Sequence, residues 1–197
     1  MQFRCPFVLA STSPRRKHLL EQLGLAFERC APEVDESFDP ALAPPAIVED
    51  LAGRKADAVA HRFPDALVLS ADTIVVLDGD VLNKPASSEE AASMLRRLSG
   101  RTHEVYTGIA LAQAATSRRV TAHEATRVTF APLNDREIAA YVATGSPLDK
   151  AGAYGIQDDR GALFVARIEG DYYNVVGLPL HRVYTVAKAS FSDLMVL

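Results

Sequence analysis

Cysteine is scarce in this chain: Cys5 and Cys30 are the two among 197 residues. A disulfide scaffold is therefore not expected, and a reducing compartment is the simpler setting. Metal-binding spacings are missing too. No C-x-x-C or H-E-x-x-H occurs, and His18, His61, His103, His123 and His181 are scattered, which argues against a dedicated zinc centre. No apolar run approaches the roughly 20 residues that a membrane helix requires. The first residues lack a basic segment followed by a long apolar core, so no signal peptide is expected and the protein reads as cytoplasmic. Nor is there an excess of positive charge, since 21 Lys and Arg stand against 25 Asp and Glu, for a net charge of -4. General binding to a nucleic-acid polymer needs an electropositive face and is not expected. A local basic pocket on an acidic protein can still take a small anion.

What is present is an ordinary soluble composition, 48% apolar and 23% charged, long enough for one domain spanning residues 1–197. Phe7–Ala10 reads as a short buried strand, followed by a helix with Ser13 as N-cap and Pro14 at its first position, stopping at Gly24. A strand is expected over 25–30, a proline-rich acidic loop over 31–45 and a helix over 46–63. Strands over 66–71 and 74–77 flank Asp72, and Asp78-Gly79 signals a hairpin into Val81-Leu82. Ser87-x-x-Glu90 and Asn134-x-x-Glu137 each open a helix, with β-branched strands near 102–113 and 119–130 between them. Residues 152–157 and 162–168 look extended, and a last helix covers about 178–189. Alternation that turns into mixture suggests an α/β protein with a twisted, mixed sheet.

Asp72 is the residue that most needs a chemical explanation. It interrupts a strongly apolar stretch, Ala66-Leu67-Val68-Leu69 before and Ile74-Val75-Val76-Leu77 after. Such a carboxylate costs several kcal/mol unless a cation or strong donors meet it. Taken alone it would read as a turn residue, but its companions shift the balance. Ser11-Thr12-Ser13-Pro14-Arg15-Arg16 lies where a strand hands over to a helix, and free N–H groups at a helix start favour an anion. Arg15 and Arg16 in the first turn oppose the helix dipole unless an anion sits there. Lys84-Pro85 follows the hairpin, and Lys55 lies on the preceding helix. Glu33-Val34-Asp35-Glu36 places carboxylates in a loop, where with Asp72 they could hold Mg²⁺ against a phosphate chain. Gly152-Ala153-Tyr154-Gly155 implies tight backbone geometry beside Gln157, whose amide suits a nucleobase edge.

These segments form a series. Leu9 to Arg16, Val34-Asp35-Glu36, Lys55-Ala56, Ser70-Ala71-Asp72-Thr73, Lys84-Pro85, Ser99 to His103, Thr107-Gly108, Asp149 to Gln157 and Val176 to Pro179 run in one order. In that order the chain resembles the Maf family of nucleoside triphosphate pyrophosphatases over residues 9–179. The resemblance implies a metal-dependent hydrolase, using Mg²⁺ or Mn²⁺, that cuts a nucleoside triphosphate between its α- and β-phosphates. It implies an elongated α/β fold with a central mixed sheet flanked by helices and a cleft between two lobes, often paired as a homodimer. By motif, Asp72 corresponds to the base that activates water and, with Glu36, to the metal-binding carboxylates. Ser11, Arg15, Arg16, Lys55 and Lys84 correspond to the triphosphate cradle.

Within the family, one branch has Arg after Ser-Pro, Thr after the catalytic Asp and Gln in Gly-Ile-Gln, and prefers dTTP and UTP. Another has an aromatic residue, Gln and Glu at these places and prefers 7-methyl-GTP. Arg15, Thr73 and Gln157 resemble the first branch. Gly53-Arg54 departs from the family pattern, in which an acidic residue commonly precedes the lysine. The rival class is a non-catalytic nucleotide-binding regulator of septum formation, and Asp72, Glu36 and Lys84 weigh against it, because a pure binder has no need of a water-activating carboxylate.

Overall fold

In the computed structural model, which describes residues 1–158 and 160–196, a seven-stranded mixed sheet organises the chain. A separate two-stranded sheet pairs β1 (Gln2–Phe3) with β9 (Met195–Val196). In the large sheet β2 (Phe7–Ala10) lies between β3 (Glu28–Cys30) and β4 (Leu67–Leu77), parallel to both. With β5 (Asp80–Leu82), β6 (Thr102–Gln113), β7 (Arg118–Phe130) and β8 (Val165–Glu169) the order is β3-β2-β4-β6-β7-β8, β5 pairing antiparallel with β4. The helices are α1 (Pro14–Gln22), α2 (Pro44–Ala60), α3 (Ser88–Leu98), α4 (Asp135–Val142), α5 (Tyr172–Val176) and α6 (Leu180–Ser190). This is the expected α/β class with a mixed sheet flanked by helices. None of the described helices is long and apolar enough to cross a membrane.

Packing divides the chain into two compact units, Met1–Asp72 with Thr107–Glu124 and Gly177–Leu197, and Thr73–Tyr106 with Ala125–Val176. In the first unit every residue of β2 is buried, as befits a parallel strand covered on both faces. Its core mixes Val8, Val59 and Val68 with many alanines, among them Ala52, Ala56 and Ala60 at helical spacing on α2. Small side chains let this helix lie close to its neighbours. Gly108 belongs to the same arrangement, because a Cβ there would fall 2.1 Å from the Val48 carbonyl oxygen.

The second unit is built around rings. Phe130 meets Tyr154 edge-on with centroids 4.7 Å apart, and His103 packs against both. Helix starts are where the cap residues put them. Ser87 accepts from the Glu90 N–H at 3.2 Å, and Asn134 and Glu137 form a reciprocal capping box.

Several expectations need correction. Asp72 does not interrupt the sheet: β4 runs through it from Leu67 to Leu77. The carboxylate finds its partner in space and the backbone has no reason to turn. Residues 152–157 are not a strand; 3₁₀ turns occupy Ser146–Asp149 and Ala151–Ala153, with Gly152 and Ala153 at φ +67° and +61°. A further turn takes Gly161–Phe164, so β8 begins only at Val165. The strand expected over 25–30 shrinks to Glu28–Cys30, and α5, β1 and β9 have no counterpart in the sequence reading.

Candidate functional site

Two parallel strands, β2 and β3, end level with Ser70 of the longer β4, and each of the three leads into part of a polar cluster. Ala10 of β2 is level with Cys30 of β3 and Ser70 of β4. Beyond Ala10 the chain continues through Ser11 into α1; beyond Cys30 runs the loop that carries Glu36; two residues past Ser70 comes Asp72. The C-terminal ends of parallel strands are where open α/β sheets bind ligands.

From α2, on the side that packs against the sheet, comes Lys55. Its Nζ lies 2.5 Å from Asp72 Oδ1 and 2.6 Å from Glu36 Oε1. The lysine is 6% exposed, so its charge is tolerable only because it is paired. Asp72 is mostly covered, whereas the Glu36 side chain keeps 55% of its surface in solvent. Arg54, next to Lys55, grips the loop instead of the cluster: its Nη1 and Nη2 donate to the carbonyls of Asp35 and Ser37, each at 2.7 Å, on either side of Glu36.

Arg16 completes this side. Its Nε donates to the Gly177 carbonyl at 2.8 Å and its Nη1 to Ser11 Oγ at 3.4 Å, and Ser11 Oγ also accepts from the Ser13 N–H. Burial lowers the Arg16 pKa most; Asp72 and Glu36 raise it and Arg15 lowers it. Arg15, Arg16, Asp72 and Glu36 thus lie within electrostatic reach of one another. Ser11, Arg15, Arg16, Glu36, Lys55 and Asp72 all belong to the first unit.

The second unit holds Thr73, Lys84 and Gln157. Thr73 follows Asp72 directly in β4, and Lys84 is exposed just after β5. The Gly152 N–H donates to the Asn83 carbonyl at 3.3 Å, tying the segment before Gln157 to that of Lys84. Around Gln157 lies a dense polar network that the sequence reading missed. Asp158 Oδ2 accepts from Ser146 Oγ at 2.6 Å and Tyr141 Oη at 3.0 Å, and lies 3.2 Å from Lys150 Nζ. Tyr141 Oη also accepts from the Gly155 N–H at 3.1 Å. A Cβ on Gly155 would stand 2.7 Å from Asp158 Oδ2, so the close approach requires glycine. Below this, His103 Nε2 and Tyr154 Oη share a buried hydrogen bond of 2.8 Å.

Arg54, Asp158, Tyr141, Lys150 and His103 are the polar positions to which the sequence reading assigned no role. Adjacency of Arg54 to Lys55 and of Asp158 to Gln157 is the one available signal, since a residue beside a ligand group can orient it. Tyr141 sits in an ordinary amphipathic helix and gives no local sign.

Among the described residues no group of three or more His, Cys, Asp or Glu could hold a metal ion. Two carboxylate oxygens converging on one cation do fit Mg²⁺, which is commonly bound through one or two carboxylates, with water and substrate phosphate completing its shell.

Similarity to known proteins adds to this geometry. The family model described as Maf-like protein matches residues 6–190. The dTTP/UTP pyrophosphatase of Salinibacter ruber is 55% identical over 195 residues, 99% of this chain and 96% of its own. That of Moorella thermoacetica is 60% identical over 176 residues, covering 89% and 90% respectively. Among solved structures, a HAM1 protein from Coxiella burnetii shares the fold, with a TM-score of 0.53 at 16% identity over 93% of this chain and 98% of that one.

Proposed function

We propose, from the premise that this chain belongs to the Maf-like protein family, that it hydrolyses dTTP and UTP to the nucleoside monophosphate and pyrophosphate. The observation that carries this reading is the junction at Lys55, where one buried ammonium meets both Asp72 and Glu36 beside the helix start of Arg15 and Arg16. Asp72 accepts the proton of the attacking water, and Lys55 fixes the direction in which its carboxylate faces. Ser11, Arg15, Arg16, Lys55 and Lys84 receive a triphosphate that brings about four negative charges, and catalysis of such transfers rests mainly on positioning and charge stabilisation. Glu36 and Asp72 would hold Mg²⁺ or Mn²⁺, which supplies charge neutralisation and eases deprotonation of water. Arg15, Thr73 and Gln157 set the preference for pyrimidine nucleotides. The same reading makes the protein a cytoplasmic enzyme, paired as a homodimer, with the whole chain as one functional domain.

Incubation of the purified protein with a panel of triphosphates, followed by pyrophosphate detection, tests this. Higher kcat/KM for dTTP and UTP than for CTP or ATP is expected, with activity abolished by excess EDTA and restored by Mg²⁺ or Mn²⁺. A preference for ATP or 7-methyl-GTP would overturn the substrate assignment, and undiminished hydrolysis in chelator would remove the metal from the mechanism.

A further inference from the structure

Gln157 has an amide that can face a ligand in either of two senses, offering a donor or an acceptor. Its Nε2 donates to Asp158 Oδ1 at 3.1 Å. An ionised carboxylate only accepts, so the NH₂ end of the amide must turn toward Asp158, leaving Oε1 as the group presented to anything outside. The other carboxylate oxygen is held in turn by the Ser146 and Tyr141 hydroxyls and by Lys150. Asp158 therefore cannot rotate to release Gln157 without breaking hydrogen bonds from several directions. The Gly155 N–H on Tyr141 Oη fastens the backbone two residues before Gln157 to the same hub.

We infer that Asp158 is a positioning residue for base selection: by locking the sense of the Gln157 amide it presents an acceptor, and so selects bases with an N3–H donor. Uracil and thymine have that donor; cytosine has an unprotonated N3 that meets Oε1 acceptor to acceptor. The inference rests on the proposed reading of Gln157 as the base-contacting side chain and adds what decides its polarity. Gln157 itself is exposed, and among the described residues Asp158 is the partner that fixes its amide.

Asp158→Asn tests the idea with almost no change of shape. The three donors on the Oδ2 side hold the oxygen of the introduced asparagine, which puts its NH₂ toward Gln157. The Gln157 amide then reverses and presents its own NH₂, a donor suited to cytosine N3. Lys150 keeps a counter-charge in Asp149, 2.7 Å away. The expected result is a drop in the UTP to CTP ratio of kcat/KM by about tenfold, the factor that one mispaired buried hydrogen bond typically gives. Adding Gln157→Glu to Asp158→Asn returns an acceptor whatever the orientation, and should restore the preference for UTP. A purely structural role would give no such reversal and rescue. If Asp158→Asn does not fold, Asp158→Ser frees the Gln157 amide, and the ratio should fall toward one.

Calorimetric binding of UMP and CMP provides a second readout that does not require turnover. A folded Asp158→Asn protein that keeps the wild-type ratios, in turnover and in binding, overturns the inference. A wild-type protein that cleaves neither UTP nor dTTP overturns the proposed reaction instead, while loss of UMP-over-CMP binding in the variant would still support the orienting role of Asp158.

Discussion

The two units handle polar burial in opposite ways. In the first, charges meet charges: Lys55 stands between Asp72 and Glu36, and Arg16 lies in the field of both carboxylates. In the second, Lys150 and Asp158 are the central charges, wrapped by the hydroxyls of Ser146 and Tyr141, and the deepest pair, His103 with Tyr154, is neutral. The surroundings differ in the same sense, alanines and valines in one core and rings in the other. A cluster of opposed charges with one partner half in water can exchange partners when an anion or cation arrives. A closed network around an already satisfied carboxylate has nothing to exchange. The first arrangement suits chemistry on a charged group and the second suits holding a geometry still.

Asp72→Asn gives the sharpest test of the charged side. Loss of a general base typically costs 10²–10⁴-fold in rate. Lys55 keeps Glu36 at 2.6 Å, so the variant should fold normally and lose turnover of that order, read by pyrophosphate release beside a thermal melt. Near-wild-type turnover would show that the opposed charges are structural alone.

Removing the cation should move stability instead. Lys55→Met leaves Asp72, its side chain 13% exposed, without its nearest counter-charge. Breaking a buried pair from one side costs about 3–5 kcal/mol, and the partial exposure of the cluster puts the expected loss near the lower end. Adding Asp72→Asn should recover much of it, because no orphaned carboxylate remains. Urea midpoints of the two single variants and the double variant check this; strictly additive losses would mean that the pair is not coupled.

The neutral side is tested by acid. Burial pushes the His103 pKa down from 6.5 to about 4. Between those values the unfolded chain binds a proton that the folded one refuses. The neutral-histidine contribution is therefore complete above about pH 6.5 and lost as the pH falls toward 4, a change of about 3 kcal/mol. His103→Gln keeps a hydrogen-bonding side chain near Tyr154 Oη and has no proton to gain. Its urea midpoint should decline less steeply than wild type across that window, and an equal decline would assign the acid sensitivity to other groups.

How much was legible in the sequence follows the same division. Ser13, Ser87 and Asn134 marked helix starts because capping is a contract between residues two or three positions apart. The apolar run of β2 was visible because parallel strands are buried on both faces. Asp72 stands out in the sequence as a carboxylate in need of a cation yet reads as a break, because Lys55 reaches it from a helix seventeen positions earlier and no local pattern reveals such a pairing. The network around Asp158 was hidden for the same reason, since Tyr141 and Ser146 join it only through the fold. Residues 152–157 look extended in sequence because positive φ at Ala153 goes against what alanine ordinarily adopts.

Arg54 offers the smallest and most discriminating effect. It touches none of the residues assigned to chemistry, yet its guanidinium holds the carbonyls on both sides of Glu36 and pairs with Asp50 at 3.0 Å. Its two carbonyl bonds are exposed, so Arg54→Ala should cost no more than about 1 kcal/mol in stability. What it should change is the freedom of the Glu36 loop. A direct outer-shell partner of a metal ligand is worth about 10–100-fold in affinity. Arg54 acts one step further away, through the backbone, so the Mg²⁺ concentration for half-maximal rate should rise by less than about tenfold with kcat at saturating metal unchanged. A fall in kcat with an unaltered metal requirement would instead place Arg54 with the triphosphate. That would mean that the exchangeable charges of the first unit extend further along α2 than Lys55.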